Sequence, residues 1–216
     1  DKIILSVATT GSWPSKAQHP GLPTTPEEIA QSVVESWREG AAIAHVHARD
    51  DHDKVTCDLA RFVRIKELIR AQGCDILINF TTSSGSTDFS ASGVAGPLPG
   101  DERFNSLAAG PDLASLDAGS LNFNDRVFLN SPAFLEELAR RIQAANVKPE
   151  IEIFNSGMIG NALLLVEKGL IKPPLWWQFV LGVRGGAPAT ARELVHLVES
   201  VPDGSLWSIC AVGRHQ

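Results

Sequence analysis

Ala42-Ile43-Ala44-His45-Val46-His47 begins as a short apolar run and ends in two imidazoles two positions apart, with Ala48-Arg49-Asp50 following. An apolar run of this length, bounded by polar residues, fits a buried strand. The segment before it has another period. From Pro26 to Glu39 apolar residues recur at three- and four-residue spacing, which predicts a helix. Thr25 caps it, Pro26 suits its first position, Glu28 completes a capping box with Thr25, and Gly40 closes it. Helix followed by buried strand is the repeating half of a parallel βαβ unit, because parallel strands need a crossover to return the chain.

The alternation continues in both directions. Strands are expected at Ile3–Ala8, Ala42–His47, Asp75–Phe80, Leu113–Ala118, Glu150–Phe154, Trp176–Leu181 and Trp207–Val212. Further helices are expected from Leu59 to Gln72, from Ser131-Pro132 onward, from Gly157 to Lys168 and from Ala191 to Ser200. A doubly wound sheet and a (β/α)8 barrel both fit this pattern. Polar residues gather at the C-terminal ends of different strands: His45 and His47, Thr81 and Thr82, Asp117, and Glu152. Barrel active sites are built at that face, which favours the barrel. The expected fold class is therefore α/β, a (β/α)8 TIM barrel, in one domain over residues 1–216. A typical barrel takes roughly 250 residues, so the eighth strand and helix are expected to be missing from this chain.

Composition narrows the partners. Hydrophobic residues make up 44% and charged residues 20%, as in ordinary globular proteins, and the net charge of −6 comes with no basic stripe. Neither disorder nor a nucleic-acid surface is expected. No apolar run approaches the ~20 residues of a membrane helix, and Ile3-Ile4-Leu5 is too short for a signal-peptide core. Cys57, Cys74 and Cys210 are widely spaced and odd in number, so reduced thiols in a cytoplasmic protein are expected. The longest irregular segment, Thr82 to Gly100, is rich in Gly and Ser. It reads either as a lid over the barrel mouth or as a surface excursion.

His45 and His47 share one face of their strand while Val46 points opposite. Two neutral imidazoles there can occupy two positions of one divalent metal, or simply hydrogen-bond each other. Glu150 and Glu152 alternate with isoleucines, so both face away from the apolar side. Glu152, nearer the strand's C-terminal end, can orient a ligand, accept a proton, or pair with an arginine. In Leu181-Gly182-Val183-Arg184-Gly185-Gly186 exposed amides and Arg184 could receive a phosphate, but the spacing matches neither a P-loop nor a dinucleotide fingerprint, and an ordinary tight turn is the better reading. No Gly-x-Ser-x-Gly elbow is present.

The chain resembles the β-keto acid cleavage enzyme family. The resemblance rests on Thr10-Gly11, Leu22-Pro23 with Thr25-Pro26-Glu27-Glu28-Ile29-Ala30, Ala44-His45-Val46-His47-Ala48-Arg49, and Leu116-Asp117-Ala118-Gly119-Ser120-Leu121-Asn122-Phe123. Pro149-Glu150-Ile151-Glu152, Ser156-Gly157-Met158, Gln178-Phe179-Val180-Leu181-Gly182-Val183 and Gly213-Arg214 continue it in order. It implies a zinc-dependent barrel that condenses a β-keto acid with acetyl-CoA and cleaves the product to acetoacetate and a new CoA ester. The family's zinc histidines fall on His45 and His47, and its acid on the fifth strand falls on Glu152, as a catalytic group. Thr81 and Ser115 fall at substrate-holding hydroxyl positions, Thr82 beside Thr81 is a further substrate-binding candidate, and Asp117 stands where the family has an Asn. The third zinc ligand, in a Gly-Phe-Glu-Asp segment with a catalytic Asp and a nearby Arg, would lie beyond Gln216. Trp13 stands where members acting on 3-keto-5-aminohexanoate have a glutamate, which points to an apolar or differently polar tail, with cation–π binding of a quaternary ammonium group as the open alternative. The resemblance further implies a homotetramer or other homo-oligomer. A metal-dependent hydrolase on the same barrel and a non-catalytic degenerate barrel are the alternatives, separated by acetyl-CoA dependence and by intact mass.

Overall fold

The computed structural model describes residues 3–83, 102–123 and 126–213. Most of the irregular segment Thr82 to Gly100, read as a lid or a surface excursion, therefore lies outside the described residues, as does Arg214. The fold class is α/β, with seven parallel strands whose order follows the chain and helices between them, the pattern of a (β/α)8 barrel. Contacts divide the chain into two compact units, the first with residues 3–83 and 102–114, the second with 115–123 and 126–213.

The first unit runs β1 (Ser6–Ala8), α1 (Pro26–Arg38), β2 (Ile43–Val46), β3 (Ala48–Arg49), β4 (Val55–Thr56), α2 (Leu59–Ala71), β5 (Leu77–Phe80), a 3-10 turn at Glu102–Phe104, α3 (Asn105–Ala108) and the start of β6 (Leu113–Asp117). Its parallel order is β1-β2-β5-β6. The capping box of α1 forms: Thr25 Oγ1 accepts from the Glu28 amide at 3.2 Å, and Glu28 Oε2 accepts from the Thr25 amide at 3.1 Å. That start sets the helix so that Ile29, Ala30, Val33 and Val34 face inward, against Phe62, Ile65 and Ile69 of α2 and Ala44, Val46, Ile78 and Phe80 of the strands. Each large side chain buried there contributes roughly 1.5–3 kcal/mol. β1 pairs with β2 so that Ala8 stands opposite His45, and β5 pairs with β2 so that Asn79 stands on its other side.

The second unit carries the rest of β6, then β7 (Leu121–Phe123), β8 (Arg126–Phe128), α4 (Pro132–Ala144), β9 (Lys148–Ile153), α5 (Gly157–Glu167), β10 (Trp176–Leu181), α6 (Ala191–Ser200) and β11 (Leu206–Ala211). Its parallel order is β6-β9-β10-β11. Ile151 and Ile153 are fully buried, and Glu150 and Glu152 take the alternate positions of β9.

Two antiparallel pairs are additions to the expected pattern, β3 with β4 and β7 with β8. Segments of two or three residues are too short for a period to show in sequence. β3 and β4 are closed by a turn in which the Asp50 amide donates to the Lys54 carbonyl and Asp53 adopts φ +60°. No described helix is long and apolar enough to cross a membrane.

Candidate active site

In the first unit β2 delivers His45, and His47 follows at the strand's end. Their Nε2 atoms are 3.1 Å apart and their ring centroids 5.0 Å. His47 is buried and its Nδ1 has no hydrogen-bond partner. Burial, with the positive potential of His45 and Arg49 added, holds its imidazole well below the usual histidine range, so it is neutral. At that distance the two nitrogens are within hydrogen-bond reach of each other. The separation is also close to the ~3.3 Å that two ligands of a tetrahedral zinc take at Zn–N distances of roughly 2.0–2.1 Å, so the pair fits either arrangement. His52 is exposed, its amide bonded to Asp50 Oδ1.

Thr81 and Thr82 follow β5 directly and both are buried. The Thr81 amide donates to the Val46 carbonyl at 3.1 Å, and Thr81 Oγ1 accepts from the Ser83 amide at 3.0 Å. These two bonds fix the Thr81 hydroxyl beside the end of β2. Trp13 lies in the loop after β1, 42% exposed, between Gly11 at φ +62° and Pro14. Ile3, Ile4, Leu5, Leu59 and Leu77 of this unit are open to solvent as well.

The second unit gathers acids. Ser115 and Asp117 occupy alternate, buried positions of β6. The Asp117 and Glu152 side chains are hydrogen-bonded, and Glu150 adds negative charge beside them. Loss of water, first, and these neighbours, second, push the Glu152 carboxyl well above the usual carboxylate range. A hydrogen bond between two carboxyls needs a proton, and the raised Glu152 carboxyl carries it. Cys210 on β11 has its thiol pushed up by burial and by Glu150, which favours the neutral thiol over the thiolate.

Asn130 escaped the sequence reading. Its Nδ2 donates to the Asp117 main-chain carbonyl at 2.8 Å, and its own amide donates to Ser120 Oγ at 2.8 Å. It fastens the end of β6 behind Asp117. In sequence Asn130 merely precedes the Ser131-Pro132 helix start, and nothing marks it as a support. The glycine loop after β10 is a tight turn: Gly182 donates to the Ala187 carbonyl, and Gly185, at φ +99°, passes so close to Asn122 that a Cβ would sit 2.1 Å from its carbonyl oxygen.

Residues 2–216 match the family described as beta-keto acid cleavage enzyme. The chain is 36% identical to the 3-keto-5-aminohexanoate cleavage enzyme of Fusobacterium nucleatum subsp. nucleatum, over 100% of this chain and 75% of the relative. It is 32% identical to the 3-dehydrocarnitine:acetyl-CoA trimethylamine transferase of Rhizobium meliloti, over 99% of this chain and 76% of that protein. The apo structure of ObcA superposes with a TM-score of 0.65 at 24% identity, covering 78% of this chain and 38% of the ObcA chain. The chain thus spans about three quarters of these curated relatives and well under half of the ObcA chain.

Proposed function

This chain belongs to the beta-keto acid cleavage enzyme family, acyltransferase-type enzymes of carbon–carbon bond cleavage, and from that premise we propose that it condenses a β-keto acid with acetyl-CoA and releases acetoacetate and a new CoA ester. The observation that carries the site assignment is the His45–His47 pair, two Nε2 atoms 3.1 Å apart beside a buried ring. We assign these two residues as zinc ligands. A zinc held there supplies a Lewis acid that polarises a keto oxygen.

Substrate holding and proton return fall to the chain's own groups. A general base, the role that the family resemblance gives to its catalytic Asp and to none of the residues named here, takes the proton from the carbon between the keto and carboxylate groups, and the resulting carbanion attacks the thioester carbonyl of acetyl-CoA. The CoA thiolate leaves and adds to the original keto carbon. The bond from that carbon to the central carbon then breaks, and the central carbon takes back a proton as acetoacetate departs. The hydroxyls of Thr81, Thr82 and Ser115 hold the substrate carboxylate. Glu152, kept protonated beside Asp117, holds and relays the proton that the central carbon needs. Asp117 orients it.

Trp13 forms the wall against the tail of the keto acid. An indole offers a large apolar face and one N–H donor but no negative charge, so neutral tails are favoured over amino-bearing ones. A panel of β-keto acids incubated with acetyl-CoA, with acetoacetate followed, tests the reading. Acetoacetate should form only when both substrates are present, faster with neutral tails, and Trp13→Glu should shift kcat/KM toward the amino tail. No acetoacetate from any acid would overturn the reaction, and a wild-type preference for the amino tail would overturn the role of Trp13.

A further inference from the structure

Arg49 is buried, yet each of its hydrogen bonds goes to a main-chain carbonyl. Nη2 donates to Gly11 O at 2.7 Å and to Pro14 O at 3.1 Å, with Thr10 O at 3.5 Å; Nη1 donates to Asp53 O at 2.7 Å. A cation taken out of water without a hydrogen-bonded carboxylate is costly, and an apolar side chain of similar volume would avoid that cost. What an apolar side chain cannot do is satisfy these carbonyls. Nor can lysine, whose donors sit on one atom, reach acceptors on both sides as the planar guanidinium does.

The acceptors show what is being held. Gly11 and Pro14 bracket Trp13, and Asp53 belongs to the turn between β3 and β4. The loop itself leaves β1 at Ala8, the residue opposite His45. We infer that Arg49 is a positioning residue: its guanidinium ties the Thr10–Pro14 loop to the chain that carries His45 and His47, and so fixes where Trp13 stands against the substrate tail. The last step rests on the reading of Trp13 given above, while the tie itself does not.

Arg49→Lys and Arg49→Met, studied by hydrogen exchange and by kinetics, test both parts. Amide exchange across residues 9–14 should quicken by about tenfold or more while α1 and α2 keep their protection. KM for the keto acid should rise by about 10- to 100-fold with kcat changed less, and the preference between neutral and amino tails should fall toward that of Trp13→Ala. Adding Trp13→Ala to Arg49→Lys should then cost little more, because both act on one element. Unchanged exchange in Arg49→Lys overturns the tie. Faster exchange with unchanged KM and tail preference leaves a purely structural residue and overturns the proposal, as does failure of both variants to fold. If the wild type turns over no β-keto acid, the functional reading fails by itself and the exchange data still decide whether Arg49 holds the loop.

Discussion

His47 in the first unit and Glu152 in the second are governed by the same leading cause and moved in opposite directions. Burial strips water from both; the imidazole falls well below its usual range and the carboxyl rises well above its own. Desolvation acts against charge, whatever its sign. One unit therefore presents a neutral nitrogen donor at His47 and the other a carboxyl at Glu152 that keeps its proton, two different chemistries from one physical operation. The neighbours sharpen each case. Arg49 and His45 add to the positive potential at His47, and Asp117 and Glu150 add to the negative potential at Glu152.

The largest expected effect separates donors from mere packing. In His45→Ala or His47→Ala the zinc content per subunit should fall close to background, and turnover with it, because removing either donor leaves only one of the pair. Metal analysis of the purified variants checks this. Wild-type zinc in both variants would reduce the histidine pair to a hydrogen-bonded couple and erase its half of the contrast.

Glu152→Gln probes the other half, and its two consequences run in opposite senses. Turnover should drop by about 10²- to 10⁴-fold, the usual contribution of a positioned acid–base group. Stability at neutral pH should rise. The folded carboxyl holds its proton to a higher pH than the unfolded one, whose pKa lies near about 4.3, so wild-type stability is full below that value and declines as pH climbs through the folded titration. Glutamine has no proton to lose and escapes the decline. Thermal melts of both proteins from about pH 4 to pH 8 should start together and separate in the variant's favour. Activity within a few-fold of wild type, with superimposable melts, would make Glu152 an ordinary structural acid.

The strand–helix alternation was legible because seven apolar runs are separated by helical periods with caps, and β10 falls on its expected residues Trp176–Leu181. β1 came out shorter than expected, since Ile3, Ile4 and Leu5 are exposed and only Ser6–Ala8 enters the ladder. Apolar character alone does not say which residues find a partner strand. Within the candidate site, the convergence of His45 and His47 followed from the two-residue strand period. The bond between Asp117 and Glu152 did not, because it joins residues far apart in sequence through strand register. Arg49 was visible only as part of a motif. Its acceptors are carbonyls, which carry no sequence signature.

Glu28 supplies the smallest effect and the sharpest control, because it is the same residue type as Glu152 with the opposite shift. At the start of α1 it accepts from Lys16 Nζ at 2.8 Å and from the amides of Thr24 and Thr25, and these donors bring its pKa down to about 2. With the side chain 43% exposed, burial has little to set against them. The sign reverses accordingly. The stability Glu28 adds is full above the unfolded pKa near about 4.3 and is lost as pH falls toward the folded value of about 2. Glutamine keeps the capping acceptor and removes only the charge, so Glu28→Gln should cost no more than about 1 kcal/mol at neutral pH, an exposed ion pair being worth little. Melts of both proteins between neutral pH and about pH 2.5 should converge as the solution becomes acidic. A gap that stays constant down to the acid end would mean that the carboxylate charge contributes nothing. The contrast between Glu28, where donors win, and Glu152, where desolvation wins, would then lose its exposed member.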